Sequence, residues 1–194
     1  MRSSSHPDFK LPSRGSISGR ASSITAAFYQ AITPVIVPSE IEVDEALDIL
    51  GMSRGACRCA YCGDAHTEWD HFRPTVVGRL PTGYITEIAN LVPACGKCNQ
   101  SKGNKDWRIW MLGSAERAPA RRGVPEVQEK VECLARFEAW RMPVRIDYVA
   151  LLEHDWGGYR ARLDAAVGHL RDAESVAKML RTRIEEELSN RTKG

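Results

Sequence analysis

The apolar positions of this chain fall into a helical rhythm at both ends and into short, broken runs in the middle. Ser22 or Ser23 is placed to cap a short helix that runs to about Thr33, where Pro34 stops it. Ser39 and Glu42 form an S-x-x-E capping box. Ile41, Ala46, Leu47 and Leu50 supply an apolar face behind it, and Gly51 is the expected stop. Pro125 opens a third helix, with Val127, Val131, Leu134, Phe137 and Trp140 on one side, ended before Pro143. A longer helix is predicted from about Trp156 to Leu188. Its apolar positions, Tyr159, Leu163, Ala166, Leu170, Ala173, Ala177, Leu180, Ile184 and Leu188, mostly alternate spacings of four and three. Such a seam fits a partner helix, or the core of the helix's own domain.

The middle reads differently. β-prone pieces cover Glu68 to Phe72 and Thr75 to Val77, Pro81-Thr82-Gly83 interrupts them, and Tyr84 to Ile88 follows. A helix is predicted to start near Lys97 or Cys98 and to run through Lys105 towards Trp110. The pattern divides the chain into a flexible basic arm (1–20), N-terminal helices (21–56), a central core (57–112) and a C-terminal helical region (113–194). The arm carries Arg2, Lys10, Arg14 and Arg20 against Asp8.

Composition adds limits. The chain has 194 residues, 43% of them hydrophobic and 27% charged, as in a globular protein with a real core. No apolar run approaches the ~18 residues of a membrane span, and the first twenty residues lack the apolar centre of a signal peptide. The expected location is cytoplasmic. A net charge of +2 does not by itself argue for nucleic acid, so the distribution matters. Between Gly96 and Gly123 seven cations, Lys97, Lys102, Lys105, Arg108, Arg117, Arg121 and Arg122, face two acids, Asp106 and Glu116. That stretch is either a phosphate-contacting surface or an ordinary solvated face.

Cysteine spacing carries the first chemistry. Of six cysteines, Cys59, Cys62, Cys95 and Cys98 form two C-x-x-C pairs. Without a secretion signal, that pattern favours a metal over disulfides, a redox dithiol pair being the alternative. Two such turns supply four thiolates to one tetrahedral Zn²⁺ and close its coordination sphere, so the zinc is expected to be structural. Cys57 is out of register, His66 is a substitute ligand at most, and Cys133 lies on the third helix as a small core residue. The 32 residues from Gly63 to Ala94 exceed what a zinc ribbon needs, and there the reactive groups stand.

Asp70 and His71 are adjacent. In a strand they would point to opposite faces, so a bulge or a strand end is needed for both to serve one site. An imidazole can deprotonate water near neutral pH, and a carboxylate can hold a hard cation. Asn99 follows the second knuckle at a helix start and offers an amide oxygen. With two such protein ligands, the ion keeps waters and accepts substrate phosphate oxygens, as Mg²⁺ does. Arg73 is placed to grip a phosphate or to pair with Glu68 or Asp70.

Read together, Cys59 to Gly103 resembles the HNH, or ββα-metal, nuclease motif in its zinc-containing form, C-x-x-C, D-H, N, then C-x-x-C-N-x-x-K-G. The resemblance implies an α+β fold in which a β-hairpin and a helix surround the metal, flanked by mainly helical elements. It implies His71 as general base, Asp70 and Asn99 as ligands of a catalytic Mg²⁺ or Mn²⁺, and Asn90 as the residue that braces the loop and orients the base. It also implies Lys102 as a phosphate contact, with Lys97 and Lys105 beside it. The final motif position is Asn99 rather than His, and oxygen ligands favour Mg²⁺ or Mn²⁺ over softer ions. The expected substrate is DNA. A sequence-specific type II restriction enzyme, making double-strand breaks as a homodimer, is the expected setting. The alternatives are a zinc-containing nucleic-acid-binding module, and the nuclease subunit of a phage-defence or toxin complex.

Overall fold

The computed structural model describes residues 12–191. Its contacts separate two compact units, Met1–Thr25 with Gly157–Gly194, and Ala26–Trp156. Two helices supply residues to both: α1 (Ala21–Ile32) and α6 (Tyr148–Arg191). Among the described residues no helix is long and apolar enough to cross a membrane.

The larger unit is built around one core. After α1 comes α2 (Glu40–Ile49), which starts with the capping box read from the sequence: Ser39 Oγ accepts from Glu42 N, and the Glu42 side chain accepts from Ser39 N. Two antiparallel strands follow at a distance in sequence, β1 (Glu68–His71) and β4 (Leu91–Ala94), with Asp70 opposite Val92 and His71 opposite Leu91. Between them lies a small hairpin of β2 (Val76–Val77) and β3 (Leu80–Pro81). Its two-residue turn places both Gly78 and Arg79 at positive φ, as the favoured hairpin turn demands. The helices α3 (Gly96–Lys102), α4 (Trp107–Leu112) and α5 (Val127–Trp140) complete the unit.

The core draws on α2, β4, α3, α4, α5 and the segments beside them. Ala46 from α2 and Leu50 just after it, Phe72 after β1, Val92 and Ala94 from β4, Trp107 and Trp110 from α4, and Leu134 and Phe137 from α5 are buried in one cluster. Phe72 meets Phe137 edge-on at 5.6 Å, and Tyr61 meets Trp110 edge-on at 5.2 Å. The arrangement is therefore an α+β fold whose β1–β4–α3 centre is wrapped by helices from both sides of it in sequence.

Four details depart from the sequence reading, the first being that α1 begins at Ala21, so Ser22 and Ser23 lie inside it rather than capping it. Tyr84 to Ile88 is not a strand. Tyr84 and Thr86 make single bridges, to Arg145 and Val35, and Ile88–Asn90 is a 3-10 turn. The strand that pairs with β1 lies further on, at Leu91–Ala94, where Pro93 had obscured it. A proline is tolerated there because a two-stranded sheet leaves its outward N–H positions unpaired. Gly83 explains part of the change: a Cβ at this position would lie 2.4 Å from the Ile146 carbonyl, so the backbone at 145–146 docks where a strand partner would run.

The helix expected from Lys97 to Trp110 is two helices. Gly103, at φ 52°, ends α3, and Asp106 caps α4 by accepting from Ile109 N at 2.9 Å. The long helix begins at Tyr148 rather than Trp156, and Glu153 (φ 44°, ψ −116°) interrupts it.

In the smaller unit, the expected basic arm lies outside the described residues up to Leu11. From there it is held. The Glu174 carboxylate accepts from Ile17 N at 2.6 Å and Ser18 N at 3.0 Å, and Arg14 pairs with Glu185 at 2.8 Å. These hydrogen bonds, that from Ser18 first, hold the Glu174 carboxyl below its usual range. Further along α6, Val176, Met179, Leu180 and Ile184 are about half exposed or more.

Candidate nuclease site

The first knuckle is a tight turn. Gly63 N donates to Cys59 O and Cys59 N to Asp64 O, both at 2.8 Å, which sets Cys59 and Cys62 on one side. The second knuckle leaves β4: Cys95 is the residue before α3, and Cys98 sits in its first turn. The four sulfurs lie within 4.8 Å of one another and none is in a disulfide. Cys62 Sγ and Cys95 Sγ are 3.7 Å apart, close to the ~3.8 Å edge of a tetrahedron with Zn–S bonds near 2.3 Å.

The protonation chemistry agrees. Contact with Cys62 pushes Cys59 up to about 12, contact with Cys59 and Cys62 raises Cys98, and hydrogen bonds from Cys59 and Cys98 lower Cys62. Four thiols packed this closely do not all ionise without a cation among them. Arg122 donates to Cys98 Sγ at 3.6 Å and adds positive charge at the rim. The donor set fits zinc. Cys57 and His66 stand apart from it: the Cys57 thiol faces the Ser53 carbonyl, and His66 Nδ1 lies 2.9 Å from the Cys57 carbonyl. Cys133 donates to the Ile49 carbonyl at the edge of the core.

β1 runs beside this cluster without a bulge. Alternation sends Asp70 into the core, where it is 5% exposed, and leaves His71, the last residue of the strand, half-buried on the other side. Asp70 Oδ2 accepts from Tyr61 OH at 2.6 Å and pairs with Lys102 Nζ at 3.0 Å. Burial pushes the Asp70 carboxyl up, against the opposing pull of Lys102 and Tyr61. Asp70 Oδ1 takes no hydrogen bond among the described residues.

Lys102 lies inside the core. It is fully buried, and its ammonium also donates to the His71 carbonyl at 2.8 Å. It ties the Asp-His dipeptide to α3 and presents no charge to solvent. Arg73 is partly engaged, its Nη1 being buried with no hydrogen-bond partner among the described residues. It pairs with neither Glu68 nor Asp70. Its guanidinium donates to the Glu138 carbonyl at 3.3 Å, lies 3.6 Å from the Glu138 carboxylate, and packs near the rings of Phe72 and Tyr84.

Asn90 is fully buried and clamps the chain just past His71. Its Oδ1 accepts from Arg73 N at 2.8 Å, its Nδ2 donates to the carbonyls of Arg73 and Ile85, and its own carbonyl accepts from Phe72 N at 2.8 Å. Asn99 donates its amide to Glu68, and its oxygen has no partner among the described residues. Lys97 is exposed beside a 580 Å³ cleft shared with Thr67, Gln100 and Arg117. Lys105 is exposed too, but its ammonium caps α3 by donating to the Ser101 carbonyl at 2.7 Å.

Two residues at the site, Tyr61 and Thr86, escape the sequence reading, and Glu68 enters it only as a partner for Arg73. Tyr61 lies inside the first knuckle, and nothing local marks its hydroxyl for Asp70. Glu68 shares a strand face with Asp70, a signal that alternation does carry. Thr86 accepts or donates at His71 Nε2, 2.8 Å away, and fifteen residues separate them in sequence. His71 itself is lowered below its ordinary value, chiefly by burial and also by Lys102, so its imidazole is neutral at neutral pH.

Residues 59–105, which hold the cysteine cluster, β1, Asn90 and α3, match the family model for HNH endonuclease. This segment is an HNH endonuclease domain. The chain is similar to part of the CRISPR-associated endonuclease Cas9 of Corynebacterium diphtheriae, at 41% identity over 63 residues, 30% of this chain and 5% of that one. The Cas9 of Actinomyces naeslundii is 33% identical over 101 residues, 50% of this chain and 8% of the other. The chain therefore spans less than a tenth of the length of these relatives. No solved structure matches it significantly.

Proposed function

We propose that the protein is a divalent-metal-dependent endonuclease that hydrolyses phosphodiester bonds in DNA. The observation that carries this reading is His71, a neutral, half-buried imidazole at the end of β1 within an HNH domain. A neutral imidazole can take a proton from water. Asn90 holds the backbone beyond it, and Lys102 holds its carbonyl, so the ring is carried on a fixed stretch of chain.

The candidate metal donors of the same domain are oxygens. Asp70 Oδ1 and the Asn99 amide oxygen are both without partners among the described residues and suit Mg²⁺ or Mn²⁺. When bound, that ion supplies Lewis-acid stabilisation of charge on the scissile phosphate. Lys97, together with the other exposed cations of 96–123, is positioned to meet the phosphate backbone.

Within this reading we favour a restriction-type nuclease acting as a homodimer. The exposed stripe of Val176, Met179, Leu180 and Ile184 on α6 is the feature that supports self-association. The similarity to CRISPR-associated endonucleases supports a second reading, a nuclease module that cuts as part of a larger machine.

Incubating supercoiled plasmid with the protein and Mg²⁺ or Mn²⁺, beside His71→Ala, tests the first claim. Discrete linear fragments from the wild type alone support a restriction nuclease. Cutting that demands an added partner supports the second reading. Equal cutting by both proteins removes His71 as the base, and DNA binding without cutting under any divalent ion leaves a binding module.

A further inference from the structure

His71 has two ring nitrogens, and only one can hold the lone pair that takes a proton from water. The structure commits Nε2, which lies 2.8 Å from Thr86 Oγ1. No hydrogen bond engages Nδ1 among the described residues. A threonine hydroxyl can donate or accept. If it donates, the lone pair on Nε2 is consumed, Nδ1 carries the proton, and the ring is not a base. If it accepts from Nε2–H, the lone pair stays on Nδ1.

Thr86 is itself fixed from outside the HNH motif. Its N–H donates to the Pro34 carbonyl at 3.1 Å and its carbonyl accepts from Ile36 N at 2.9 Å, a single parallel bridge centred on Val35. The linker between α1 and α2 therefore holds both backbone groups of Thr86. Pro34 and Pro38 at its ends restrict that linker's own backbone. The charged groups that act on the His71 ring are Asp70 from its own strand and Lys102 from α3. Both bear on its charge, and neither bonds to a ring nitrogen.

We propose that Thr86 is a positioning residue for His71, accepting from Nε2–H and so fixing the ring and its tautomer, with the α1–α2 linker as its support. This rests on the reading of His71 as the base. It gives the linker between α1 and α2 a part in catalysis through Thr86. Selecting the tautomer through the nitrogen away from the reaction is a general means of preparing a histidine for proton transfer.

The test uses the full chain with Thr86→Val, which removes the hydroxyl at similar volume, Thr86→Ser, which keeps it, and His71→Ala. Imidazole ¹⁵N spectra without DNA should show the Nε2–H tautomer in the wild type and in Thr86→Ser, and a mixture in Thr86→Val. With saturating Mg²⁺, Thr86→Val should lower kcat about ten-fold and leave KM within about two-fold, the loss of one orienting hydrogen bond. Thr86→Ser should stay within about three-fold of the wild type on the same ground.

Thr86→Ala deletes the same hydroxyl and gives the same readings should Val disturb packing. A pure Nε2–H tautomer with unchanged kcat in the variants that lack the hydroxyl, beside an inactive His71→Ala, overturns this proposal alone. Wild-type cutting by His71→Ala overturns the assignment of the base and this proposal with it.

Discussion

The cysteine cluster and the strand Glu68–His71 share one core, yet they are assembled in opposite ways. Each knuckle is a turn of four residues, so its geometry is decided within the turn, and the tertiary fold has only to bring two turns together. The sulfurs then lie within 4.8 Å of one another. β1 carries its groups in an ordinary alternating strand, and every group is claimed by a distant partner: Asp70 by Tyr61 and Lys102, His71 by Thr86, Glu68 by Asn99. A cluster of four like groups can be specified locally because two short turns set all of its geometry. A set of unlike groups needs each side chain held separately, and the holders come from wherever the fold supplies them.

That contrast can be broken by experiment. The largest effect is expected at the cluster. Cys95→Ser should lose bound zinc and cooperative folding together, since structural zinc in small domains contributes about 10 kcal/mol or more to folding. Metal analysis with thermal melting checks it, and a stable, zinc-loaded variant would show that the cluster is not the organiser.

Next is Lys102→Met, which leaves the Asp70 carboxylate buried without its cation. Breaking one partner of a buried pair costs about 3–5 kcal/mol, to be read from denaturant unfolding. The double variant with Asp70→Asn should recover much of that loss. If Lys102→Met instead leaves stability intact and only weakens DNA binding, Lys102 is a phosphate contact after all.

His71→Ala should spare the fold and lower cleavage at least about 100-fold, the scale of a general base. A smaller effect concerns pH. Burial lowers His71 below its ordinary value, so the neutral form persists on the acid side of ~6.5. The acid limb of a pH–rate profile should therefore fall below pH ~6.5, and a limb above that value would assign it to another group. The smallest effect belongs to the surface: Lys97→Ala should weaken binding to all DNA sequences alike and reduce the salt slope by about one.

Much of this was legible beforehand. The capping box of α2, the α5 face and both knuckles follow from spacing alone, because helix caps and C-x-x-C turns are local. The break between α3 and α4 was also written there, in Gly103 and Asp106, but a continuous helical pattern masked it. β4 was missed because four residues containing a proline carry little strand signal. It becomes a strand by pairing with β1. The α6 seam shows the limit of periodicity: the rhythm that buries Val131, Leu134 and Phe137 on α5 leaves Leu180 and Ile184 on α6 exposed.

The lysines teach the same lesson. Lys97, Lys102 and Lys105 look alike as charges in sequence, but one is exposed at a cleft, one is sealed under β1 and one caps a helix. By itself, then, the sequence determined which four cysteines cluster, the helices with strong local signals and the residue types of a nuclease motif. Only the tertiary structure decided which carboxylate is buried, which cation is consumed in holding it, and which hydroxyl meets His71. The physical reason is range. Turns and caps are closed by bonds across three or four residues, whereas burial and side-chain pairing are settled by neighbours that sequence distance does not reveal.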